Sequence, residues 1–230
     1  MLSPLFIPMS KLYINSICIG LLAKCNWTCK YCIARNDNAT IDEVQILEDL
    51  MPHLNKLKTL YISGGEPGLL SEDFWSKVFS SIDFQLRICT NGTFFKNGLY
   101  FKFRNDIKEL MVHVVQELDM EIEEDIYHAL LFDDKLTPVI VVHRHNAHLL
   151  KDFLEKYPLI TFQIFFSDGS FTVYHYDGEY QYGLDVKSAK HIIKAFSGKP
   201  RYLNYTTRIM KCLVKNDFKN VNSWSNKNHE

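Results

Sequence analysis

The chain lacks any surplus of charge. Its 26 basic and 27 acidic residues leave a formal charge of -1. No Lys/Arg cluster longer than a few residues breaks that balance, so there is no electrostatic case for nucleic acid or for an anionic membrane. It also lacks an apolar run near the roughly 18 residues of a membrane-spanning helix. Residues 1–9 carry apolar side chains but two prolines and no basic segment. No secretion leader is therefore expected, and the sequon-like triplet Asn26-Trp27-Thr28 is discounted with it. A disulfide framework is missing too. Six cysteines, three of them within eight residues, fit a reduced cytoplasmic metalloprotein better than a cross-linked secreted fold.

What is present is 230 residues at 47% hydrophobic content, enough for one buried core with at most a short appendage. Residues 16–22 form an apolar run that feeds into Cys25, the pattern of a buried first strand with a loop at its C-terminal end. Thr40 and Glu43 have the spacing of a capping box. Val44, Leu47, Leu50, Met51 and Leu54 then repeat at helical spacing, with Pro52 expected to kink or end the helix. Residues 57–62 read as a second strand that delivers Ser63-Gly64-Gly65-Glu66-Pro67. Ser71 caps a helix with Phe74, Trp75, Val78, Phe79 and Ile82 on one face. Residues 86–89 are a third strand, ending in Thr90-Asn91-Gly92.

The aromatic-rich residues 93–109 are ambiguous, with a helix the best reading. Residues 110–115 and 139–142 are two further strands around an acidic, helix-like segment at 120–131. Leu149, Leu150, Phe153, Leu154 and Tyr157 make one helical face before Pro158, and residues 160–166 alternate as a sixth strand. Strands alternating with helices predict an α/β fold with a parallel sheet; six such units, with the chemistry at strand C-termini, predict an incomplete (β/α)6 barrel. Past residue 166, turn signals predict a short C-terminal β-hairpin, and residues 186–196 a helix stopped by Gly198. Residues 1–166 thus read as the core barrel, 167–215 as an extension covering it, and the Asn- and Lys-rich 216–230 as a disordered tail.

The stretch that carries chemistry is Cys25-Asn26-Trp27-Thr28-Cys29-Lys30-Tyr31-Cys32. Three thiolates at Cys-x3-Cys-x2-Cys spacing close on three corners of one metal cluster but fall short of the four-ligand shell of structural zinc. One iron is left open for a small molecule. The spacing, with Tyr31 as the aromatic before the last cysteine, resembles the radical S-adenosylmethionine (radical SAM) superfamily. Gly64-Gly65-Glu66 taken alone reads as an ordinary strand-to-helix turn. Placed after the second strand, with Ser63 before it, it resembles the family's Gly-Gly-Glu motif, which holds the methionyl ammonium. Asn91 after the third strand resembles a residue bordering the cofactor pocket. Gln116 and Glu117 follow the fourth strand, where relatives often carry Ser-x-Asp for the ribose hydroxyls; Glu117 stands where Ser is expected, and a surface acid is the competing reading.

The resemblance covers roughly residues 16–166, including His143-Arg144-His145-Asn146, and is nearest the branch of molybdopterin-precursor cyclases and peptide maturases. Cys212 is the one cysteine after residue 89, so the auxiliary-cluster domain of those maturases is not expected. Cys18 and Cys89 read as buried small hydrophobes. The resemblance implies a 4Fe-4S cluster on Cys25, Cys29 and Cys32, and S-adenosylmethionine at Tyr31, Ser63, Gly64, Gly65, Glu66, Asn91, Gln116 and Glu117. It implies an electron donor such as flavodoxin or ferredoxin, and a 5'-deoxyadenosyl radical that takes hydrogen from a small-molecule, nucleoside or peptide substrate. No residue is singled out as catalytic. An activase that installs a glycyl radical on a partner enzyme, and a non-catalytic iron-sulfur or zinc module, are the other readings.

Overall fold

A computed structural model describes residues 16–20, 22–32, 39–54, 57–166 and 183–215. Six strands form one parallel sheet whose strand order is the chain order: β1 (Ser16–Gly20), β2 (Thr59–Ser63), β3 (Leu86–Thr90), β4 (Ile107–His113), β5 (Leu136–Val142) and β6 (Gln163–Phe166). Between them lie α1 (Glu43–Leu54), α2 (Glu72–Ser80), α3 (Thr93–Lys96), α4 (Leu99–Phe103), α5 (Glu124–Phe132) and α6 (Leu150–Lys156). Parallel strands joined in chain order by right-handed crossovers put every connecting helix on the same face. Burial follows that rule with a period of two. Leu60, Ile62, Leu86, Ile88, Leu110, Val112, Ile140 and Ile164 are buried, while Tyr61, Arg87, Glu109, Met111 and Gln163 between them are half-buried. A single cavity of about 380 Å³ is lined by β2, β3, β4 and β6, so strands four places apart in the order face one another. The sheet is therefore curled, as in part of a barrel.

Local chemistry explains the boundaries. Ser71 Oγ accepts the N–H of Phe74 at 3.1 Å and caps α2 as its sequence predicts. The cap of α1 differs from expectation: Asp42 Oδ1 accepts the N–H of Gln45 at 3.1 Å, and Glu43 instead accepts from the backbone and hydroxyl of Ser71 at 2.6 and 2.5 Å. Pro52 does not end α1, which runs on to Leu54. The hydrogen bond it removes lies in the last turn, where the helix was about to stop. Residues 93–109 hold two short helices and then the start of β4, three residues before the apolar run begins, because Lys108 and Glu109 hide the strand in the sequence. β5 likewise begins early and includes Pro138. Trp75 is fully buried among Phe74, Phe79 and Phe94, with ring centroids 5.1–5.7 Å apart, and its Nε1 donates to Pro67 O at 3.3 Å. That bond fixes the 3-10 turn Pro67–Leu69 that follows the glycines.

The expected hairpin at 171–182 and tail at 216–230 lie outside the described residues, as does the 167–182 part of the extension expected to cover the barrel. Helix α7 (Val186–Phe196) forms where predicted, with a capping box between Asp185 and Ser188. A further helix, α8 (Leu203–Lys215), was not anticipated. α7 packs on α6 and α8 on α7, so this part of the extension continues the helix layer. Tyr202 anchors it: its ring stacks on Phe196 at 5.0 Å and its hydroxyl accepts the N–H of Phe162 at 3.2 Å. Among the described residues no helix is long and apolar enough to cross a membrane.

Candidate functional site

The loop of residues 22–32 leaves the C-terminal end of β1 and is fastened to the ends of the next three strands. After β2, Gly64 and Gly65 adopt left-handed φ of 78° and 57°, which places the turn directly under the loop. A Cβ on Gly65 would stand 2.3 Å from Lys24 O and 2.8 Å from Leu22 Cβ. The next residue, Glu66, donates its backbone N–H to Lys24 O at 2.9 Å. The glycines thus let this backbone approach the cysteine loop itself.

Glu66 is fully buried. Its Oε1 accepts from Gly68 N at 2.7 Å and Thr90 Oγ1 at 2.6 Å, and its Oε2 from Asn91 N at 2.6 Å. Burial pushes the carboxyl above its ordinary value, and the donors from Asn91, Thr90 and Gly68 offset part of that rise. The carboxylate expected to meet a ligand ammonium accepts these three hydrogen bonds from the chain itself. Asn91 continues the chain of contacts, donating from Nδ2 to Asn26 Oδ1 at 2.7 Å and to Cys25 Sγ at 3.6 Å, while its Oδ1 accepts from Thr93. Asn26 in turn donates to Thr93 Oγ1 at 2.9 Å.

The end of β4 holds the far side of the loop. Gln116 Oε1 accepts from Thr28 N at 3.1 Å, and the Tyr31 hydroxyl donates to Gln116 O at 3.2 Å. His113 Nε2 lies 3.0 Å from the same hydroxyl, with the Trp27 ring 5.6 Å away. Burial lowers the His113 imidazole to about 4, so it is neutral near pH 7. Burial, with the charge of Cys29 next, holds the Tyr31 phenol well above its ordinary value. After β5, the His145 backbone donates to His143 Nδ1 at 3.2 Å. That leaves the ring proton on Nε2, which donates to Glu117 Oε2 at 3.0 Å. Asn146 Nδ2 adds a second bond to the same oxygen at 3.1 Å. Burial pushes Glu117 up, but the hydrogen bonds from His143 and Asn146 and the charge of Lys30 outweigh it, and the carboxyl sits below its ordinary value. Its Oε1 makes no hydrogen bond among the described residues, and Glu117 and Lys30 line a common pocket of about 570 Å³.

The three thiols are half-buried. Burial pushes Cys29 up to about 11, with the charges of Cys32 and Cys25 adding to the rise, and burial likewise raises Cys25. Among the described residues no three His, Cys, Asp or Glu side chains are gathered closely enough to hold a metal ion. The donor set nevertheless fits a cluster that draws its ligands from one loop: three soft sulfurs, mutually close enough to repel once charged. Ser63 and Cys89 sit on the helix-free face and line the sheet cavity, where Cys89 is half-buried rather than buried as expected. The side chain of Cys18 lies outside the described residues, and Cys212 is buried on α8.

Asn26, Thr93, His113, His143 and Asn146 complete the site without having been assigned to it from the sequence. His113 continues the alternation of Glu109 and Met111 on β4, and that period was a usable signal; the pairing of Asn26 with Asn91, 65 residues apart, had none. No protein-family model matches the chain, and no curated protein matches it.

Proposed function

We propose that the chain is a cytoplasmic radical SAM enzyme on an incomplete (β/α)6 barrel, with a 4Fe-4S cluster on Cys25, Cys29 and Cys32 and S-adenosylmethionine beside it. The observation that carries the reading is that Glu66, Asn91 and Gln116, singled out from separate motifs, all hydrogen-bond to the cysteine loop. A cluster loop fastened this way at one end of a parallel sheet is rigid on three sides, which suits chemistry that demands fixed geometry. When bound, and given one electron from a flavodoxin or ferredoxin, the cluster and SAM supply reductive cleavage of the sulfonium C–S bond to methionine and a 5'-deoxyadenosyl radical that takes hydrogen from substrate.

The chain's own residues then have defined tasks. The thiols lose their protons on coordination, and because burial raises Cys25 and Cys29, loading strengthens as pH rises. Glu66 acts indirectly, by anchoring the Gly64-Gly65 turn and the Asn91 turn together. Glu117, ionised and oriented by His143 and Asn146, keeps Oε1 as an acceptor for ribose hydroxyls. Tyr31 and His113 hold the last cysteine's side of the loop against β4.

The test is anaerobic reconstitution with iron and sulfide, followed by dithionite and SAM, assayed for 5'-deoxyadenosine. Product is expected from the parent chain, with loss of both product and brown chromophore in each of Cys25→Ala, Cys29→Ala and Cys32→Ala. A protein that takes up about four irons yet forms no 5'-deoxyadenosine, or full colour in all three variants, overturns the reading.

A further inference from the structure

We infer that the cavity on the helix-free face of the sheet is a binding site for a small monocarboxylate with an apolar body, held on the guanidinium of Arg87. The interior of a closed or partial barrel is ordinarily filled by branched aliphatic side chains. Here the register puts Tyr61 beside Arg87 and Arg87 beside Glu109, and Gln163 lines the same space from β6. Arg87 Nη1 donates to Glu109 Oε2 at 2.7 Å, with the two side chains 20% and 22% exposed. An ion pair so placed contributes little to stability compared with apolar packing, so its presence calls for another reason.

Counting donors and acceptors gives the chemistry. Both oxygens of Glu109 are engaged, Oε2 by Arg87 and Oε1 by the Thr137 hydroxyl at 2.6 Å. The guanidinium has five N–H groups and makes that one hydrogen bond among the described residues. Its Nε is buried with no partner among them, and one face is covered by the Tyr61 ring at 5.2 Å. The unmet need is for an acceptor. A planar fork of donors matches a carboxylate in shape and charge. Glu109 alongside works against a dianionic phosphate and leaves a monoanion the better fit. Two residues further toward the strand ends, Cys89, Met111 and Phe165 supply an apolar wall, and Ser63, just before the Gly64-Gly65 turn, marks the side nearest the cysteine loop. The cavity volume, about 380 Å³, suits a ligand of metabolite size. That the bound acid is the hydrogen donor rests on the proposed function; the binding itself does not.

The test uses the full chain without cluster or SAM and measures binding of phenylacetate by calorimetry, with phenethylamine and phenyl phosphate as comparisons. Phenylacetate is expected to bind at least about ten-fold more tightly than either, and to weaken by about ten-fold or more in Arg87→Lys and in the charge-balanced Arg87→Met/Glu109→Gln. Absence of phenylacetate binding, equal binding of the amine or phosphate, or undiminished binding in folded variants overturns the inference. If the variants do not fold, NMR mapping on the unmodified chain decides: contacts at Arg87 and Phe165 support the site, and contacts elsewhere overturn it. Phenylacetate failing to bind while 5'-deoxyadenosine forms overturns this inference alone, and the reverse result overturns the proposed reaction alone.

Discussion

Glu66 Oε2 accepts the backbone N–H of Asn91 at 2.6 Å, tying the turn after β2 to the turn after β3 through a carboxylate with no exposed surface. The two turns cannot move independently while that bond stands. Glu66→Gln keeps the volume but sets an NH2 against one of the donors from Asn91, Gly68 or Thr90. A buried donor left without an acceptor costs about 1–3 kcal/mol, so the urea midpoint should fall accordingly, and further in Glu66→Ala. The titration has a definite sign. Because burial raises the folded-state pKa, the folded chain binds the proton more tightly, and this group's contribution declines as pH rises from its ordinary value through the folded one. Glu66→Gln should remove that decline; an unchanged midpoint and pH profile would count against the clamp.

Gly65→Ala tests the approach beneath the cysteine loop. The new Cβ meets Lys24 O at 2.3 Å in a left-handed backbone, and its nearest neighbour is main chain that cannot swing aside. A loss on the order of 2 kcal/mol or more is expected by denaturant melting, well above the ordinary surface substitution. Gly198→Ala is the control, since its Cβ would enter open space at a similar φ of 72°. Equal losses at the two glycines would show that only backbone strain, and not the close approach, matters at Gly65.

His113 predicts a pH dependence of its own. The unfolded imidazole takes up a proton below about 6.5, whereas the folded one refuses it until about 4. Stability should therefore fall as pH drops through that window, by at most about 3 kcal/mol, and level off below it. His113→Gln retains a polar partner for Tyr31 without the titration, so its curve between pH 6.5 and 4 should be flatter than the parent's. Parallel curves would place the acid sensitivity of that window outside His113.

Gln116 separates holding the loop from holding the fold. Its bonds run to Thr28, which is exposed, so Gln116→Ala should shift the unfolding midpoint by no more than about 0.5–1.5 kcal/mol. Reconstituted iron should nevertheless leave faster under a chelator, because one of the loop's three fastenings is gone. An unchanged release rate would mean that Gln116 does not steady the cysteines.

Reading the sequence worked where the signal was local and failed where it depended on distant partners. Ser71 at its cap and Asp185 before α7 each lie within three residues of the group they satisfy, and both helices begin where their sequences indicate. Glu43 looked like a capping-box residue because nothing nearby reveals that Ser71, 28 residues on, claims its carboxylate. α8 was legible in the spacing of Tyr202, Tyr205, Ile209 and Cys212 but was overlooked beside its polar surroundings; the hydroxyl bond from Tyr202 to Phe162 then docks it. Cys89 was misread although Ile88 beside it is buried toward the helices, which by alternation turns Cys89 to the cavity. The separate motifs after β1 to β4 were visible in the sequence; that their side chains bond to one another was not.

The agreement of strand order with chain order has a consequence for synthesis. Each strand leaving the ribosome meets a partner already made, and the edge it covers is exposed only until it arrives. Every residue assigned to the cysteine loop and its fastenings, from Lys24 to Gln116, is translated before β5 begins, and none of those hydrogen bonds waits for α7 or α8. The loop can be steadied on a nascent chain whose last two strands and helices are still to come.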